Sequence, residues 1–530
     1  METMGNVLSA VHTRMVFNER NAGMDMADTG KVWLAGAGPG SADLLTVKAR
    51  RLLDEGDCIV YDRLVGEEVL GLIPLGKELI GVGKSAGKHA TPQEEINQIL
   101  IREAKLGKKV VRLKGGDPFL FGRGGEEAEA LCREKIPFEV VPGISSSLAV
   151  PAYNGIPVTH RDYVSDVHIV TGHHRAGKCQ TIPYEALVQT GGTLIFLMGV
   201  SALEEIMDGL RHAGMGEETP AAILQQGTTA RQRRVVATVG TLAFRAKEQQ
   251  VKAPATIVVG EVCRLADEFA WYTKLPLFGE KILVTRPEGR DTRLSDRLRE
   301  LGAEVLAMPA VRTVPVRDHV RQKTIEEELG RLLQYQVLAF TSPYGVERFF
   351  ALLLESGRDI RAVSHMRFAA IGQGTAGELL KRGIRADYVP AHYDGESLGK
   401  LLAESLEDGT KILLARSSMG GAEILAEIEK NPGLACQDLA VYDTEFTGER
   451  KEMLRAFMEN GPVTGVVFTS SSTVEGFCRM LGNDFPYETV WAVCIGEKTR
   501  RKAAEAGMRT ACAENATVEA MVACVMDKEL

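Results

Sequence analysis

Residues 111–127 read VRLKGGDPFLFGRGGEE, five glycines following an apolar strand. Such a loop usually cradles a phosphate, yet it lacks the Gly-Lys-Ser/Thr ending of a P-loop and the GxGxxG of a dinucleotide fold. A second glycine turn, GAGPGS at 36–41, has Ser41 where a nicotinamide-type fingerprint needs its third glycine, and Pro39 stiffens it. Asp62, ending the strand CIVYD, could imitate the ribose-binding acid of those folds. Three readings stay open at this level: a dinucleotide site, a structural strand–helix turn, or a turn kept bare so that another ligand can approach the main chain. Asp62 is a candidate base, or the partner of Arg63 in a strand-end ion pair. Lys84 is a candidate proton donor or a solvated loop residue. Metal chemistry finds no support. Nine cysteines form no CxxC pair, ten histidines form no HExxH, and the adjacent His173-His174 diverge on a strand or a helix alike.

The elements that must position these groups alternate. KVWLAGAGPG is strand then turn, SADLLTVKARRLLDEG an amphipathic helix opened by a Ser or Asp cap, and CIVYDRLV a second strand. TPQEEINQILIREAKLGKK is a capped helix and VVRLKGG another strand, so a largely parallel sheet follows. VHIVTGH, TLIFLMG, AAILQQG and TIVVGEV give four more strands in a second, mixed sheet, and DEFAWYTKLPLFGE reads as a linker. From Lys281 the chain repeats itself at an offset of about 130 residues. KILVTRP answers KILLARS, VLAFTSPYGVERFFALL answers GVVFTSSSTVEGFCRML, and FAAIGQGTAGELLKRGI answers AVCIGEKTRRKAAEAGM. Two similar α/β lobes are expected, with a ligand cleft between them. Residues 1–29 lack a signal peptide's apolar stretch and read as a disordered extension or as sequence upstream of the true start.

VWLAGAGPGSADLLTVKARRLL, VYDRLV, VGK, RLKGGDPFLFGRGGEEAEAL, VVPGISSSLAVPAYNGIPVTHRD and FLMG together resemble uroporphyrinogen-III C-methyltransferase over residues 31–265. The resemblance implies a two-domain α/β tetrapyrrole methylase fold over 30–268, working as a homodimer. Its reaction carries methyl groups from S-adenosyl-L-methionine to C2 and C7 of uroporphyrinogen III, giving precorrin-2. Carried over by motif, Pro39, Gly115, Gly116, Asp117, Leu120, Ser145, Ser146, Met198 and Gly227 line the co-substrate site, with the base at Asp62 and the proton donor at Lys84. The glycine loop then cradles an adenosine and a sulfonium rather than a phosphate, and Asp117 is expected to accept hydrogen bonds from the ligand. On that reading Asp117→Ala abolishes binding and leaves the fold intact. A substrate with eight carboxylates requires cations, for which Arg63, Lys114, Arg123, His160 and Arg161 lie nearest the motifs.

The repeated half resembles uroporphyrinogen-III synthase over 281–526, on VTRPEGRDTRLSDRLRELGAEVLAMPAV, FTSPYGVERF, AIGQGTA, VYDTEF, FTSSSTVEGF and CIGEKT. After a linker at 269–280, the resemblance implies one lobe from 281–313 plus 447–530 and another from 316–442. It also implies closure of hydroxymethylbilane with inversion of ring D. It points to Tyr442 as the tyrosine that protonates the leaving hydroxyl and to Thr375 and Thr499 as loop donors to the substrate. From the residues alone, Tyr442 reads equally as an interior strand tyrosine and the two threonines as helix N-caps. Glu497 brings a negative charge beside that proposed anion site.

The expectation is a bifunctional, α/β, cytoplasmic enzyme of tetrapyrrole biosynthesis, with no metal and with small tetrapyrroles as its partners. Two alternatives differ in class: a methylase of a later corrin intermediate with an inert C-terminal duplication, and a two-lobed protein that binds an anion without chemistry. A net charge of −8 argues against nucleic acid. No run approaches the roughly twenty apolar residues that span a membrane, and unpaired cysteines fit a reducing compartment.

Overall fold

The computed structural model describes residues 29–83, 91–172, 182–287, 292–459 and 461–527. Residues 1–28, Lys84 and the His173-His174 pair lie outside the described residues. Lys31–Gly36 (β1), Cys58–Tyr61 (β2), Glu78–Gly81 (β3), Lys109–Lys114 (β4) and Phe138–Val141 (β5) form a parallel sheet in the order β3-β2-β4-β1-β5. Apolar clusters cover both faces, which is why these strands read as continuous hydrophobic runs. β1 and β4 are neighbours whose onward connections leave in opposite directions, and this opens a crevice at their carboxyl ends.

The helix expected directly after the GPGS turn starts later. Ser41 accepts from Asp43 N and caps a single 3-10 turn, Ala42–Leu44; Leu45 returns to extended backbone, and Thr46 caps the helix Val47–Glu55. Two capping residues lie close together in the sequence, and periodicity cannot choose between them.

The second sheet contains Val167–Thr171 (β6), Thr193–Leu197 (β7), Pro220–Gln225 (β8), Arg233–Thr238 (β9) and Ala255–Val259 (β10), ordered β6-β7-β10-β8-β9. Only β6 and β7 run parallel, so the sheet is mixed. β9 leaves no clear sequence pattern, because this edge strand buries Val235 and keeps Arg233 exposed.

The C-terminal half is one nine-stranded sheet: Lys281–Pro287 (β11), Glu304–Val314 (β12), Val337–Phe340 (β13), Arg367–Ala370 (β14), Lys411–Ser417 (β15), Ala435–Phe446 (β16), Gly465–Phe468 (β17), Trp491–Cys494 (β18) and Arg509–Cys512 (β19). Its order, β14-β13-β15-β16-β12-β11-β17-β18-β19, sets the sequence repeats in mirrored places: β15 against β11, β13 against β17, β14 against β18. The long strands β12 and β16 meet antiparallel from Val311↔Phe446 to Val314↔Asp443. Each side of that seam has its own apolar clusters, so two lobes share a two-strand hinge.

The segment 269–280 is not a loose tether. Tyr272 and Leu277 are buried, and Tyr153, Trp271, Tyr272 and Phe278 meet edge to face at 4.8–5.5 Å. The lobe containing β11 and β12 is seated on the N-terminal half. Arg450 donates to the carbonyls of Leu70, Ile73 and Pro74, Glu449 accepts from Gly76 N at 2.7 Å, and Lys281 pairs with Glu67 at 3.6 Å. Gly71 lies so close to β12 that a Cβ there would stand 2.6 Å from Leu306.

Candidate active sites

Three adjacent parallel strands, β4, β1 and β5, carry glycines at or within two residues of their carboxyl ends, Gly115–Gly116, Gly36 and Gly143, and the main chains stack directly on one another there. A Cβ on Gly36 would lie 2.4 Å from Gly143 Cα, and one on Gly143 would lie 2.2 Å from the Gly116 carbonyl oxygen. Gly38 and Gly116 exchange backbone hydrogen bonds of 2.7 and 3.2 Å, so the two glycine turns form one clasp. Gly115 is wedged against Leu64, whereas Gly116, at φ +70°, has no atom within 4 Å on its Cβ side. That leaves a bare main-chain shelf, the cradle a ligand without phosphate needs.

The neighbouring candidates converge on this clasp. Ser145 caps the helix Ser146–Tyr153, and Val150 of that helix stands 2.5 Å from where a Cβ on Gly227 would be. Ser41 N, two residues beyond Pro39, donates to Thr228 Oγ1 at 3.3 Å. Met198 follows the end of β7, 52% exposed and with left-handed backbone. Among the described residues seven non-glycine residues have positive φ, and five of them, Phe121, Arg123, Met198, Gln226 and Thr228, fall in these segments. Backbone held so far from its preferred regions concentrates at ligand sites.

Several expectations change on contact with the geometry. Asp117 does not point idle oxygens at a ligand: Oδ1 accepts from Phe119 N (2.8 Å) and Leu120 N (3.1 Å), and Oδ2 from Gly143 N (2.9 Å). It shapes the loop that carries Leu120 and ties it to the end of β5. Lys114 is buried and bonds Glu127 at 2.8 Å, with Arg112 on the same carboxylate oxygen at 3.1 Å. Burial, and then the Arg112 charge, lower its pKa; it is not placed to meet substrate carboxylates. Glu127 Oε2 has no hydrogen-bond partner among the described residues.

Asp62 pairs with Arg112, at 3.8 Å, rather than with the exposed Arg63, and accepts from Leu64 N and Gly115 N. Its side chain is 27% exposed. Arg123 is exposed and doubly bonded to Glu126, His160 packs on Tyr163 at 5.0 Å, and Arg161 is exposed. Arg112, Glu127, Gly143 and Thr228 were not legible as site residues. An arginine inside VVRLK and a glutamate ending GRGGEE signal nothing until the fold brings them together beneath the loop.

In the C-terminal half, each of the four glycine- or serine-bearing loops ends a strand and starts a helix: Pro343–Glu355, Gln373–Leu380, Ser471–Leu481 and Glu497–Glu505. Thr375 and Thr499 are not loop donors. Both are buried inside the first helical turn, behind the caps Gly372 and Gly496. Tyr442, on β16, is 6% exposed; its hydroxyl lies 2.9 Å from Ser342 Oγ and its ring packs edge-on to Tyr344 at 4.8 Å. The charge of Glu497 is offset by Arg500 and Arg501, which hold its carboxyl down at about 2. Lys498 and Glu423 form an ion pair of 2.7 Å between the lobes.

A family model for uroporphyrinogen-III synthase HemD matches residues 292–523, and one for tetrapyrrole (corrin/porphyrin) methylases matches residues 31–243. Porphyrin biosynthesis protein HemD of Ruminiclostridium josui is 41% identical over 493 residues, 93% of this chain and 97% of the relative. An S-adenosyl-L-methionine-dependent uroporphyrinogen III methyltransferase of Methanosarcina barkeri is 52% identical over 239 residues, 45% of this chain and 94% of the relative. The uroporphyrin-III C-methyltransferase of Thermus thermophilus, solved with S-adenyl homocysteine, is 40% identical and covers 44% of this chain and 99% of that one, with a TM-score of 0.38. With both halves matched in order and a relative aligned almost end to end, the chain belongs to the family of porphyrin biosynthesis protein HemD: a tetrapyrrole-biosynthesis enzyme in which an S-adenosyl-L-methionine-dependent uroporphyrinogen-III methyltransferase is fused to a uroporphyrinogen-III synthase.

Proposed function

We propose that the synthase half closes hydroxymethylbilane, with inversion of ring D, to uroporphyrinogen III, and that the methylase half converts this product to precorrin-2 by methylation at C2 and C7. The clasp of Gly38 on Gly116 is the observation that carries the methylase reading, because it sets the bare main chain of Gly116 at a switch-point crevice. S-adenosyl-L-methionine supplies a methyl group on a sulfonium; what remains for the protein is alignment and proton removal.

Pro39, Gly115, Gly116, Leu120, Ser145, Ser146, Met198 and Gly227 are proposed to hold the co-substrate, with Asp117 shaping their loop. Asp62 is the proposed base: two backbone amides and Arg112 fix its carboxylate, yet part of it still reaches solvent. Arg63, Arg123, His160 and Arg161 are proposed to meet the carboxylates of the macrocycle.

Ring closure asks for shape more than for acid and base. Backbone N–H groups at the four helix starts suit a polycarboxylate, and Tyr442, oriented by Ser342, is proposed to protonate the leaving hydroxyl. A cytoplasmic homodimer joined through the methylase half completes the proposal. Exposed Leu64, Phe119, Phe121, Ile144 and Leu148 near the clasp are apolar surface such an interface would cover. No helix among the described residues is long and apolar enough to cross a membrane.

The test is incubation of the full chain with hydroxymethylbilane and S-adenosyl-L-methionine. Precorrin-2 is expected. The symmetric uroporphyrinogen I isomer would refute the synthase assignment, and uroporphyrinogen III accumulating without methylation would refute the methylase one.

A further inference from the structure

Two segments of the methylase half that face the proposed co-substrate, the turn at 36–42 and the loop at 226–232, are each held from behind by a carboxylate shared with the synthase half. Glu68 Oε2 accepts from Ala42 N at 3.0 Å, while its Oε1 accepts from Val305 N on β12 and stands 3.4 Å from Arg299 Nε. The adjacent β12 residue reciprocates. Glu304 Oε2 reaches out of the synthase half to accept from Ala230 N at 3.0 Å, with Arg231 4.0 Å from its other oxygen. Both carboxylates are buried. A cavity of about 140 Å³ lies between the halves here, lined by both carboxylates together with Ser41, Thr228, Tyr272 and Arg299.

The 226–232 loop needs such support. Gln226 and Thr228 are left-handed without being glycine, a conformation that persists only where the surroundings over-determine it. Restraints internal to the methylase half include Gln226 N to the Pro254 carbonyl at 3.0 Å and Thr228 N to Gln232 Oε1 at 2.9 Å. Glu304 adds a restraint from the synthase half. Burial raises its pKa, while Arg231, Lys281 and the Ala230 amide draw it back. A buried carboxylate in that position is retained only where its oxygens are used.

We infer that Glu304, a residue of the synthase half, is a positioning residue for methyl transfer: by holding Ala230 N it fixes the loop of Gly227, so that methyl-donor affinity depends on the second enzyme seated behind it. The inference rests on the placement of Gly227 against the methyl donor proposed above. By linkage, donor binding in turn tightens the seating of β12.

The experiment is calorimetric titration of the full chain with S-adenosyl-L-homocysteine, well below each variant's melting temperature, with steady-state methylation alongside. Glu304→Ala is expected to weaken binding about tenfold and to raise the methyl-donor KM while leaving kcat at saturation little changed. Glu304→Gln, whose amide oxygen still accepts from Ala230 N, is expected to stay within about threefold of the parent. Glu304→Asp keeps the charge but retracts the acceptor by one methylene, and is expected to weaken binding in the same way should the alanine variant not fold. A folded Glu304→Ala or Glu304→Asp with parental affinity overturns the inference. Gly227→Ala separates it from the underlying reading. If that variant also binds normally, the co-substrate site is misplaced and both fall; if it weakens binding while the Glu304 variants do not, only this inference falls.

Discussion

Removing the Asp117 carboxylate strands the amides of Phe119, Leu120 and Gly143, at a cost of about 1–3 kcal/mol. Asp117→Ala is therefore expected to lower the urea midpoint as well as abolish S-adenosyl-L-homocysteine binding, contrary to the intact fold that the motif alone suggests. Asp117→Asn keeps one carbonyl oxygen for Phe119 and Leu120, and is expected to recover most of the stability. Unchanged stability in the alanine variant would return Asp117 to the role of a simple ligand. Lys114 makes the same point from the other side. A lysine beside a motif looks like a substrate cation, but an inward-facing strand position buried against Glu127 commits it elsewhere. Residue type and spacing were legible; which way each side chain faces, and what consumes its hydrogen bonds, was not.

At the level of elements, the glycines of these strand–helix connections divide into those that let main chains stack and those that merely occur. Gly143→Ala is expected to push β1, β4 and β5 apart, because the new Cβ meets main chain rather than a flexible side chain. The expected loss is about 1–3 kcal/mol, with donor binding gone. Gly125→Ala is the contrast: its Cβ enters open space in the first turn of the helix Gly124–Arg133, and a gain of about 0.5–1 kcal/mol is expected. Chemical denaturation of the two variants side by side decides whether the clasp is as tight as the geometry says. The strand–helix alternation and the internal repeat were legible because they follow from apolar periodicity. The late start of the first helix and the edge strand β9 were not, since competing caps and a mostly solvated strand leave periodicity little to read.

For the molecule as a whole, the seam between the two enzymes is where buried charge gathers. Burial holds the Glu68 carboxyl up at about 7. Arg299 and the Ala42 and Val305 amides pull the other way, and Glu304 adds to the rise. The folded protein thus binds this proton more tightly than the unfolded chain does. Its contribution is full below the ordinary carboxylate range and is lost as pH rises towards 7 and beyond. Asp43 and Glu304, also raised by burial, are present in both proteins and largely cancel in the comparison. The stability of the parent minus that of Glu68→Gln is expected to fall by about 2–3 kcal/mol between pH 5 and pH 8. Urea denaturation at the two pH values reads it; a difference independent of pH would mean that Glu68 does not titrate in this range. The segment 269–280 belongs to the same seam: Tyr272 is buried with its ring against Tyr153 and Phe278, while Phe269 and Trp271 stay exposed.

The sequence by itself determined the fold class, which follows from local periodicity, and, through the families that its contiguous motifs resemble, the order of the two enzymes and the co-substrate. Only the tertiary structure decided that Asp117 is a clamp, that Lys114 is buried, that Thr375 and Thr499 lie inside helices, and that β12 links the synthase hinge to the methylase loops. Hydrogen-bond partners and burial depend on residues that are distant in sequence, such as Glu304 and Ala230, and no local pattern encodes such a pairing.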